Sequence, residues 1–516
     1  MHCYGSFGTV GRRVRFDVKC FGLSLAIPIT LLETMTKSKR LRSSEDTLSA
    51  FAFGATMFSS ACLNNLFVTY YLELFLYVQK VDPWWFYIGQ ILFMVWNSIN
   101  DPLFGWLSDI FSPFSYRSNR RLGAIRYGGW LWVAAFLYIW WIPGSLASPT
   151  ASGLHFVISL CFYDCMLTFV EVNHSALLAE LSTSSEVRAN ANMYAAICAG
   201  LGSLSAFFSR MFWSRDDLYA FQKYCVVIGL LALVGFEITA AYLHVPKLSR
   251  GKYTEARVSS QEHEVHSAAT RSSSLSFFQF LRQLFQSHNF VCFSVVSLFQ
   301  VFDCAFGKNF FSIFLADFSG NALSPNAQGF VVSLSFVLPW VCTVFLTPIV
   351  KKVGAYNVIQ GIFKVRICIV FVGLFYALST SKTSWLYLMV NRIASECVCR
   401  LMPLIKSNLV DEDAYLNSRE RAMSASVIGS SEFISKAGQS LAPMLGYFIL
   451  RRSANLVAPG DGNAEYQTFW PSVSIALLPL FVVLIQLFVW GKFQLRGQQL
   501  KIIRENARKN DSLSSV

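Results

Sequence analysis

The chain has 516 residues, of which 54% are hydrophobic and only 14% are charged. Because soluble domains carry roughly 25% charged residues, this composition excludes an ordinary soluble domain and indicates a membrane protein whose first partner is the lipid bilayer. The net charge of +13 does not indicate a nucleic-acid partner, since the basic residues lie in terminal segments and alternate loops, as the orientation signals of membrane proteins do.

Residues 1–46 precede the first long apolar segment, and we expect an N-terminal cytosolic extension without regular structure. The short apolar run at 20–32 follows several basic residues and offers an alternative, a secretory signal. Cleavage behind that run would leave the basic residues at 37–42 outside the cell, against the positive-inside rule, so we favour the extension. Met35 offers an alternative start of the chain.

Apolar segments of about 20 residues then recur along the chain, which is the pattern of membrane-spanning helices. The sequence predicts an all-α polytopic membrane protein with twelve transmembrane helices in two pseudo-symmetric six-helix bundles. The predicted helices lie near 48–77, 84–107, 124–146, 153–180, 190–212, 223–244, 289–315, 328–350, 355–379, 384–408, 421–450 and 469–491.

A polar stretch at 246–288 interrupts the helical pattern, and we interpret it as a cytosolic basic linker. It separates an N-terminal bundle at 47–245 from a C-terminal bundle at 289–491, and residues 492–516 form a cytosolic tail. Basic residues gather in the linker, in the terminal segments and in alternate loops, so the positive-inside rule places both termini in the cytosol. We expect a multi-pass protein of the plasma membrane.

The second predicted helix carries the most informative polar residues. Asn97 and Asp101 are four residues apart and lie on one face of the helix. Pro102 cannot donate a backbone hydrogen bond, so the carbonyl of Ser98 loses its helical partner. A charge at mid-membrane costs about 2.5–3.5 kcal/mol on insertion scales and is a functional-site hypothesis by default. We predict a cation or proton site at Asp101; the alternative is a carboxylate satisfied by a neighbouring helix.

The fourth helix adds a second set of polar residues. Asp164 and Glu171 are seven residues apart and share one helix face, with Asn173 and His174 nearby. We predict that this face lines a substrate cavity; the alternative is a water-filled vestibule without specific binding. His174 is either a hydrogen-bonded packing residue, which we favour, or a proton relay.

The C-terminal half offers one candidate cavity lysine. Lys436 follows Glu432 by four residues, which permits an ion pair within the eleventh helix. The alternative is a lysine that contacts an anionic or hydroxylated substrate, or a carboxylate of the opposite half. Asp303, on an otherwise Phe-rich seventh helix, is a candidate partner from its own half.

The tenth helix carries three charged residues at a spacing of four, Arg392, Glu396 and Arg400. Each arginine can pair with the central glutamate, so we interpret the set mainly as a structural ion ladder. Helices 4 and 10 both end in acidic residues, followed by a polar loop, an arginine and a helix rich in small residues. Small residues let helices approach closely, and repeated halves with a site at their interface are typical of alternating-access transporters.

Two segments resemble a known family. Residues 96–106, Trp-Asn-Ser-Ile-Asn-Asp-Pro-Leu-Phe-Gly-Trp, are similar to the second-helix signature of the glycoside–pentoside–hexuronide cation symporters, the melibiose permease group of the major facilitator superfamily. The similarity to that group's tenth-to-eleventh helix signature rests on residues 409–413 with Arg419, Arg421, Lys436, Gly438 and Gln439. The resemblance runs from about 48 to 491 and implies the twelve-helix major facilitator fold. A closer resemblance, to a divergent vertebrate branch of the group, rests on the stretches 96–109, 161–164 and 409–417.

The resemblance implies roles for individual residues. In the sugar symporters two aspartates of helix 2 bind the coupling cation; Asn97 stands at the first position and Asp101 at the second. Glu171 stands at the helix 4 position that cation and sugar share, so the implied cation or proton site is Asp101, Asn97 and Glu171. The sugar-stacking tryptophan falls on Ser175, and the charged ligands of helices 1 and 5 fall on uncharged residues. The expected substrate cavity comprises Asp164, Asn173, His174, Asp303, Lys436 and Gln439.

The loop behind helix 2 resembles a feature of the superfamily. Asp109 ends that helix just before a basic loop with Arg120 and Arg121, which implies a cytosolic latch between helices 2 and 11. A solvated charge at a helix end is the alternative. The second half has a corresponding loop, in which an acidic stretch precedes Arg419 and Arg421.

These observations predict a secondary active transporter that moves a small polar solute by alternating access, with a sugar as one candidate. The coupling ion is expected to be a proton or sodium, and no metal or other cofactor is expected, since zinc motifs and a GxxxxGK[ST] loop are missing from the sequence. We expect a monomer. The alternative is a non-transporting multi-pass protein, such as a scaffold, receptor or surface antigen, that retained the fold. An enzyme is disfavoured, because no nucleophile–base pair is visible.

Overall fold

The structure is a computed structural model. It describes residues 5–10, 13–20, 23–110, 119–141, 148–182, 184–209, 211–245, 276–319, 324–378, 384–417, 419, 422–455 and 464–513. Arg421, one of the predicted latch residues, and most of the predicted linker lie outside these residues.

Fourteen α-helices account for most of the described residues. The first six are α1 (Ile29–Glu73), which continues into a π-helical turn (Leu74–Val78), α2 (Pro83–Ile110), α3 (Arg120–Trp140), α4 (Pro149–Leu181), α5 (Ser185–Ser209) and α6 (Tyr219–Tyr242). The others are α7 (Phe277–Gln286), α8 (His288–Ser319), α9 (Pro325–Val353), α10 (Ala355–Leu378), α11 (Ser384–Leu416), α12 (Ser424–Asn455), α13 (Ala464–Lys492) and α14 (Gly497–Leu513).

The N-terminal segment differs from the expected extension without regular structure. Strands β1 (Gly5–Val10), β2 (Arg13–Cys20) and β3 (Leu23–Pro28) form an antiparallel sheet in the order β1-β2-β3. Residues 13–20 alternate polar and apolar side chains, which is the period of a strand and explains the difference. Helix α1 follows at Ile29, well before the predicted start of the first helix at 48.

Eight of the described helices are long and apolar enough to cross a membrane. The count rises to nine if α13 and α14, which are bent by 56° at a short break, form one span. The predicted number of twelve is therefore not confirmed by length and composition. Helices α2, α11 and α12 are not among the eight, and these three carry several of the charged residues of the candidate site, among them Asp101, Arg392 and Lys436.

The helices pack as two groups. Helices α1 to α6 contact one another, with α1 against α5 and α6, and α4 against α2 and α3. In the second group α8 packs against α11, α12 and α13, and α10 packs between α11 and α13. The two groups meet mainly where α2 crosses α12 and where α5 crosses α9. Residues at the interface of the two groups therefore come from these four helices and from the helices next to them.

Glycines allow the crossing of α2 and α12. A Cβ atom added at Gly105 of α2 would meet the carbonyl oxygen of Ala425 in α12. A Cβ atom at Gly429 of α12 would meet the carbonyl oxygen of Asp101 in α2. Because small residues let helix backbones approach closely, the two groups touch backbone to backbone beside Asp101.

Candidate functional site

A cavity of about 310 Å³ lies between the two groups of helices. Its lining comes from α1, α4 and α5 on one side and from α8, α9 and α11 on the other. The volume is at the lower end of the range of roughly 300–1,000 Å³ for small-molecule sites. The cavity is therefore large enough for a small solute that contacts both groups at once.

Helices α8 and α11 contribute most of the charge on the cavity wall. Lys308 of α8 and Arg392, Glu396 and Arg400 of α11 all line it. Arg400 Nη2 forms an ion pair with Glu396 Oε2 at 3.1 Å, whereas Arg392 Nη1 donates to the carbonyl of Gly307 at 3.1 Å. The predicted ion ladder thus holds for only one arginine. Arg392 has other partners on two neighbouring helices, since its guanidinium lies over the rings of Phe311 in α8 and Phe336 in α9.

The opposite wall is mostly uncharged. Glu171 of α4 is its only carboxylate among the lining residues, and Glu171 Oε1 accepts a hydrogen bond from Ser60 Oγ at 2.6 Å. His174 also lines the cavity; its Nε2 is 3.0 Å from the carbonyl oxygen of Phe53, and the two rings stack 4.1 Å apart. His174 is thus held as a packing residue on the wall. Asparagines and serines of α1 and α5 complete this side.

A buried ion pair joins the two groups beside the cavity. Lys436 Nζ of α12 lies 2.6 Å from Asp101 Oδ2 of α2. The ammonium also donates to Asn100 Oδ1 at 3.2 Å and to Thr168 Oγ1 at 3.4 Å. Of the two alternatives for Lys436, the structure has the contact with a carboxylate of the opposite half. Glu432, the other candidate partner, instead pairs with Lys406 of α11.

Asp164 belongs to the same polar cluster rather than to the cavity wall. Its carboxylate accepts a hydrogen bond from Asn100 Nδ2, which also donates to Thr168 Oγ1 at 3.2 Å. Asp164 does share a helix face with Glu171, but seven residues of helix separate them by about 10 Å along the axis. The amide of Asn100 therefore links Asp164 to the buried pair of Asp101 and Lys436.

The three residues of the predicted cation site are not brought into one contact. Asn97 and Asp101 are both buried in α2, and Asn97 Oδ1 has no hydrogen-bond partner among the described residues. Glu171 is bonded to Ser60 on the cavity wall, and no hydrogen bond or ion pair in the described part of the chain joins it to Asp101. The counter-charge of Asp101 is instead Lys436. The spacing of residues along one helix cannot predict this contact, because it joins two helices.

Three further residues of the predicted cavity, Asn173, Asp303 and Gln439, also lie outside its wall. Asn173 is two residues beyond Glu171, about 200° around the helix, so it faces away from the cavity; its Oδ1 accepts from Arg121 Nη1 at 3.1 Å. Asp303 is not a partner of Lys436, since it pairs with Arg366 Nη2 at 2.6 Å. Gln439 is exposed on α12.

Three of the predicted latch residues, Asp109, Arg120 and Arg121, meet at one end of the bundle. Asp109 Oδ1 lies 3.2 Å from Arg120 Nη2 and 2.5 Å from Arg121 Nη2. The other carboxylate oxygen of Asp109 accepts from the backbone N–H and the hydroxyl of Ser426 in α12, at 2.7 and 2.6 Å. Arg121 also pairs with Glu180 of α4 at 2.9 Å. One carboxylate thus connects α2, α3 and α12.

The corresponding loop of the second half makes a different connection. Arg419 pairs with Asp413 at 2.6 Å and lies over the ring of Phe280 in α7. Asp411 accepts hydrogen bonds from both terminal guanidinium nitrogens of Arg188 in α5, at 2.5 and 2.8 Å. Arg188 and Asp411 therefore tie the two halves together, and Arg419 secures its own half.

Two charged residues of the site, Lys308 and Arg188, were not among the predicted site residues. Lys308 has a visible signal, because it is a cation in an apolar helix and such residues are candidates by default. Arg188 is marked by the repeated arginine behind helices 4 and 10, but its partner is set by the packing of the two halves. No group of three or more His, Cys, Asp or Glu side chains in the described residues is placed to hold a metal ion.

Comparison with known proteins places this arrangement among transporters. The family model described as MFS/sugar transport protein matches residues 52–496. Transmembrane protein 180 of Mus musculus is 31% identical over 497 residues, which covers 88% of this chain and 94% of that protein. Transmembrane protein 180 of Gallus gallus is 30% identical over 484 residues, with the same shares of both chains covered.

A solved structure has the same fold. The crystal structure of a bacterial homologue of the iron transporter ferroportin, in an outward-facing state, has a TM-score of 0.60. The match covers 87% of this chain and 100% of that chain at 13% sequence identity. At this identity the likeness concerns the arrangement of the helices alone.

Proposed function

The chain belongs to the MFS/sugar transport protein family, as a transmembrane protein 180-like member of the major facilitator superfamily, and we propose from this premise that it is a secondary active transporter. The family resemblance predicted from the sequence is thereby confirmed, including its divergent vertebrate branch. Its solute is a small polar compound, for which a sugar is one candidate. Transport proceeds by alternating access of the cavity between the two halves.

The observation that best supports this proposal is the position of the cavity. It is lined by helices of both halves, as alternating access requires, and cross-half contacts lie to one side of it. Those contacts, at Asp109 and at Arg188, stand next to the loops that the positive-inside rule places in the cytosol. In this proposal the described conformation is closed toward the cytosol, and release of solute inward requires both contacts to separate.

The coupling ion is a proton or sodium, and it acts at Asp101. Removal of the ammonium of Lys436 from this carboxylate, or its replacement by the ion, would release the contact between α2 and α12. Binding of the ion and the position of the two halves are thereby linked, since an ion shifts an equilibrium only by its differential affinity for the two states. In this proposal the protein is a monomer that spans the plasma membrane twelve times, with both termini in the cytosol. It has no cofactor and no nucleic-acid partner.

One observation favours the alternative of a non-transporting membrane protein. Asp101 already has a counter-charge in Lys436, and Asn97 leaves one carboxylate fewer for a cation than the related symporters supply from this helix. A protein that kept the fold as a scaffold or receptor would need this pair only for stability. The two proposals therefore differ in whether the protein carries a solute flux that depends on Asp101.

Uptake into proteoliposomes separates the two proposals. Wild type, Asp101→Asn and the exposed control Asp216→Asn are compared with labelled glucose, lactate and glycine, with and without a proton or sodium gradient. We expect uptake of at least one solute to be stimulated by a gradient, with the stimulation lost in Asp101→Asn and kept in Asp216→Asn. No uptake of any solute would favour the non-transporting alternative. Unchanged ion dependence in Asp101→Asn would exclude Asp101 as the coupling site.

A further inference from the structure

The charge on the cavity wall is unbalanced. Three cations line the cavity, Lys308, Arg392 and Arg400, against the two carboxylates of Glu396 and Glu171. Glu396 is taken by Arg400, and Glu171 stands on the opposite wall with Ser60. Within the described residues, neither Lys308 nor Arg392 has a carboxylate in ion-pair distance. The C-terminal side of the cavity therefore carries excess positive charge.

Arg392 is the most informative of these cations. Arg392 is only 5% exposed, and its Nε has no acceptor among the described residues. Its described hydrogen-bond partner is a neutral carbonyl, that of Gly307. A buried cation without a counter-charge is costly, so an arginine kept in this position indicates that an anion completes the site.

Aromatic rings hold both guanidinium groups in place. Arg392 Cζ lies 4.6 Å from the ring centroid of Phe336 and 4.9 Å from that of Phe311. Arg400 Cζ lies 3.6 Å from the ring centroid of Trp340. Stacking on a ring uses the face of the guanidinium and not its edge of N–H donors. On Arg392 only Nη1 of this edge is bonded, to the carbonyl of Gly307, so donors remain for a ligand. That edge matches the two oxygens of a carboxylate, which it can bind through two hydrogen bonds.

The rest of the cavity sets the shape of the solute. Phe336 and Trp340 of α9 face Phe53 and Met57 of α1 across it, so apolar and aromatic side chains stand on both walls. A volume of about 310 Å³ fits a compact molecule. The cavity wall has a net excess of one positive charge, which suits a solute with a single negative charge.

We infer that the solute is a small organic monoanion, whose carboxylate binds Arg392 and Lys308 and whose apolar body lies between Phe53 and Trp340. This inference rests on the proposed transport function and names its substrate class. It differs from a neutral sugar, because a sugar would leave both cations without a counter-charge. Arg400, already paired with Glu396, orients the site rather than binding the carboxylate.

Equilibrium binding of labelled phenylacetate to the purified, full-length protein in detergent tests the inference. Phenylacetamide is the matched neutral probe, since it replaces the carboxylate by an amide of the same shape. We expect saturable phenylacetate binding, with phenylacetamide competing about tenfold worse or weaker still. Arg392→Gln and Lys308→Gln should each weaken binding by about tenfold. Arg392→Lys, which keeps the charge but loses the two-donor edge, should weaken binding less than Arg392→Gln does.

The control variant is Arg215→Gln, which removes an arginine that pairs with Glu73 at a partly exposed position outside the cavity. It should bind phenylacetate like the wild type. Gel filtration and a melting curve show whether Arg392→Gln is folded, and Lys308→Gln gives an independent variant if it is not. Equal competition by the amide, unchanged binding in both Gln variants, or absence of saturable phenylacetate binding would each overturn the inference.

Binding in detergent does not need transport, so the two proposals fail separately. Phenylacetate that binds through Arg392 but is not taken up by proteoliposomes would contradict the transport proposal and keep the anion site. Gradient-driven uptake of an uncharged solute that is unchanged in Arg392→Gln would contradict the anion site and keep the transport proposal.

Discussion

The buried pair of Asp101 and Lys436 lies beside the crossing of α2 and α12. Its side chains are only 5% and 14% exposed, so each charge depends on the other for most of its compensation. Removing one partner of a buried ion pair is strongly destabilising, whereas replacing both by neutral groups of similar shape is often nearly neutral. This asymmetry makes the pair testable without knowledge of the solute.

We predict that Asp101→Asn and Lys436→Met each destabilise the purified protein, by about 3–5 kcal/mol, because each leaves an uncompensated buried charge. The double variant should be more stable than either single variant. Melting curves of the four proteins in detergent, arranged as a double-mutant cycle, measure the coupling. Destabilisation in the double variant equal to the sum of the single effects would mean that the two residues do not act as a pair.

Single residues also show what could and could not be predicted from the sequence. Asp101, Glu171 and Lys436 stand out because ionisable side chains in apolar helices are rare, and the same signal was available for Lys308. Their partners were not predictable, since pairing across helices depends on rotation and crossing. Lys436 has a carboxylate four residues away on its own helix, yet it bonds Asp101 of α2. Asn173 is adjacent in sequence to His174, yet only His174 lines the cavity.

At the scale of helices, the crossing of α2 and α12 depends on two glycines. Gly105 and Gly429 each place a Cα–H directly against a carbonyl of the other helix. Any side chain there must push the backbones apart, because the contacted atoms belong to the main chain and cannot rotate away. The buried pair and the Asp109 contact lie on either side of this crossing.

We predict that Gly105→Ala destabilises the protein by about 1–3 kcal/mol, the usual cost of overpacking a closely packed site. Gly361→Ala in α10 is the matched control, since a Cβ atom there meets nothing within 4 Å. Because alanine is favoured over glycine inside a helix by about 1 kcal/mol, the control should be neutral or stabilising. Melting temperatures in detergent compare the two, and a Gly105→Ala protein as stable as Gly361→Ala would mean that the helices cross elsewhere.

The helices themselves could be predicted where apolar segments are long. The structure has α2 at Pro83–Ile110 and α4 at Pro149–Leu181, close to the predicted 84–107 and 153–180. The early start of α1 and the helices α7 and α14 were not predicted, because their sequences are polar or short and lack a membrane-length apolar run. Such helices depend on packing: in α7, Phe280 and Leu284 are buried, and Phe280 contacts Trp106.

For the whole molecule, several polar contacts between the halves lie at one end. Arg188 of α5 binds Asp411 and the carbonyl of Ser407, both of α11, and Asn192 Nδ2 donates to the carbonyl of Arg400 at 3.0 Å. Asp109 makes the parallel contact between α2 and α12. An alternating-access cycle must break these contacts, so their free energy contributes to the difference between the two end states.

We predict that Arg188→Gln shifts the protein toward a state open at this end, because Asp411 loses its partner in the opposite half. Ser407→Cys provides the reporter, since Ser407 is 1% exposed and lies directly under the Arg188 contact. We expect a membrane-impermeant thiol reagent, applied at the side of this contact, to alkylate the introduced cysteine about tenfold faster in Arg188→Gln, which corresponds to a shift of about 1.4 kcal/mol.

The matched control is Arg126→Gln, which breaks an arginine–glutamate pair of similar length that lies within one half, between Arg126 and Glu237. The protein with both Arg126→Gln and Ser407→Cys should be alkylated at the same rate as the protein with Ser407→Cys alone. In each case the rate measured without the introduced cysteine is subtracted. An equal acceleration in both variants would show that loss of any ion pair loosens the bundle. Of the two ion pairs compared, the Arg188–Asp411 pair spans the halves and the Arg126–Glu237 pair does not, so acceleration confined to Arg188→Gln would identify the Arg188 contact as part of the gate.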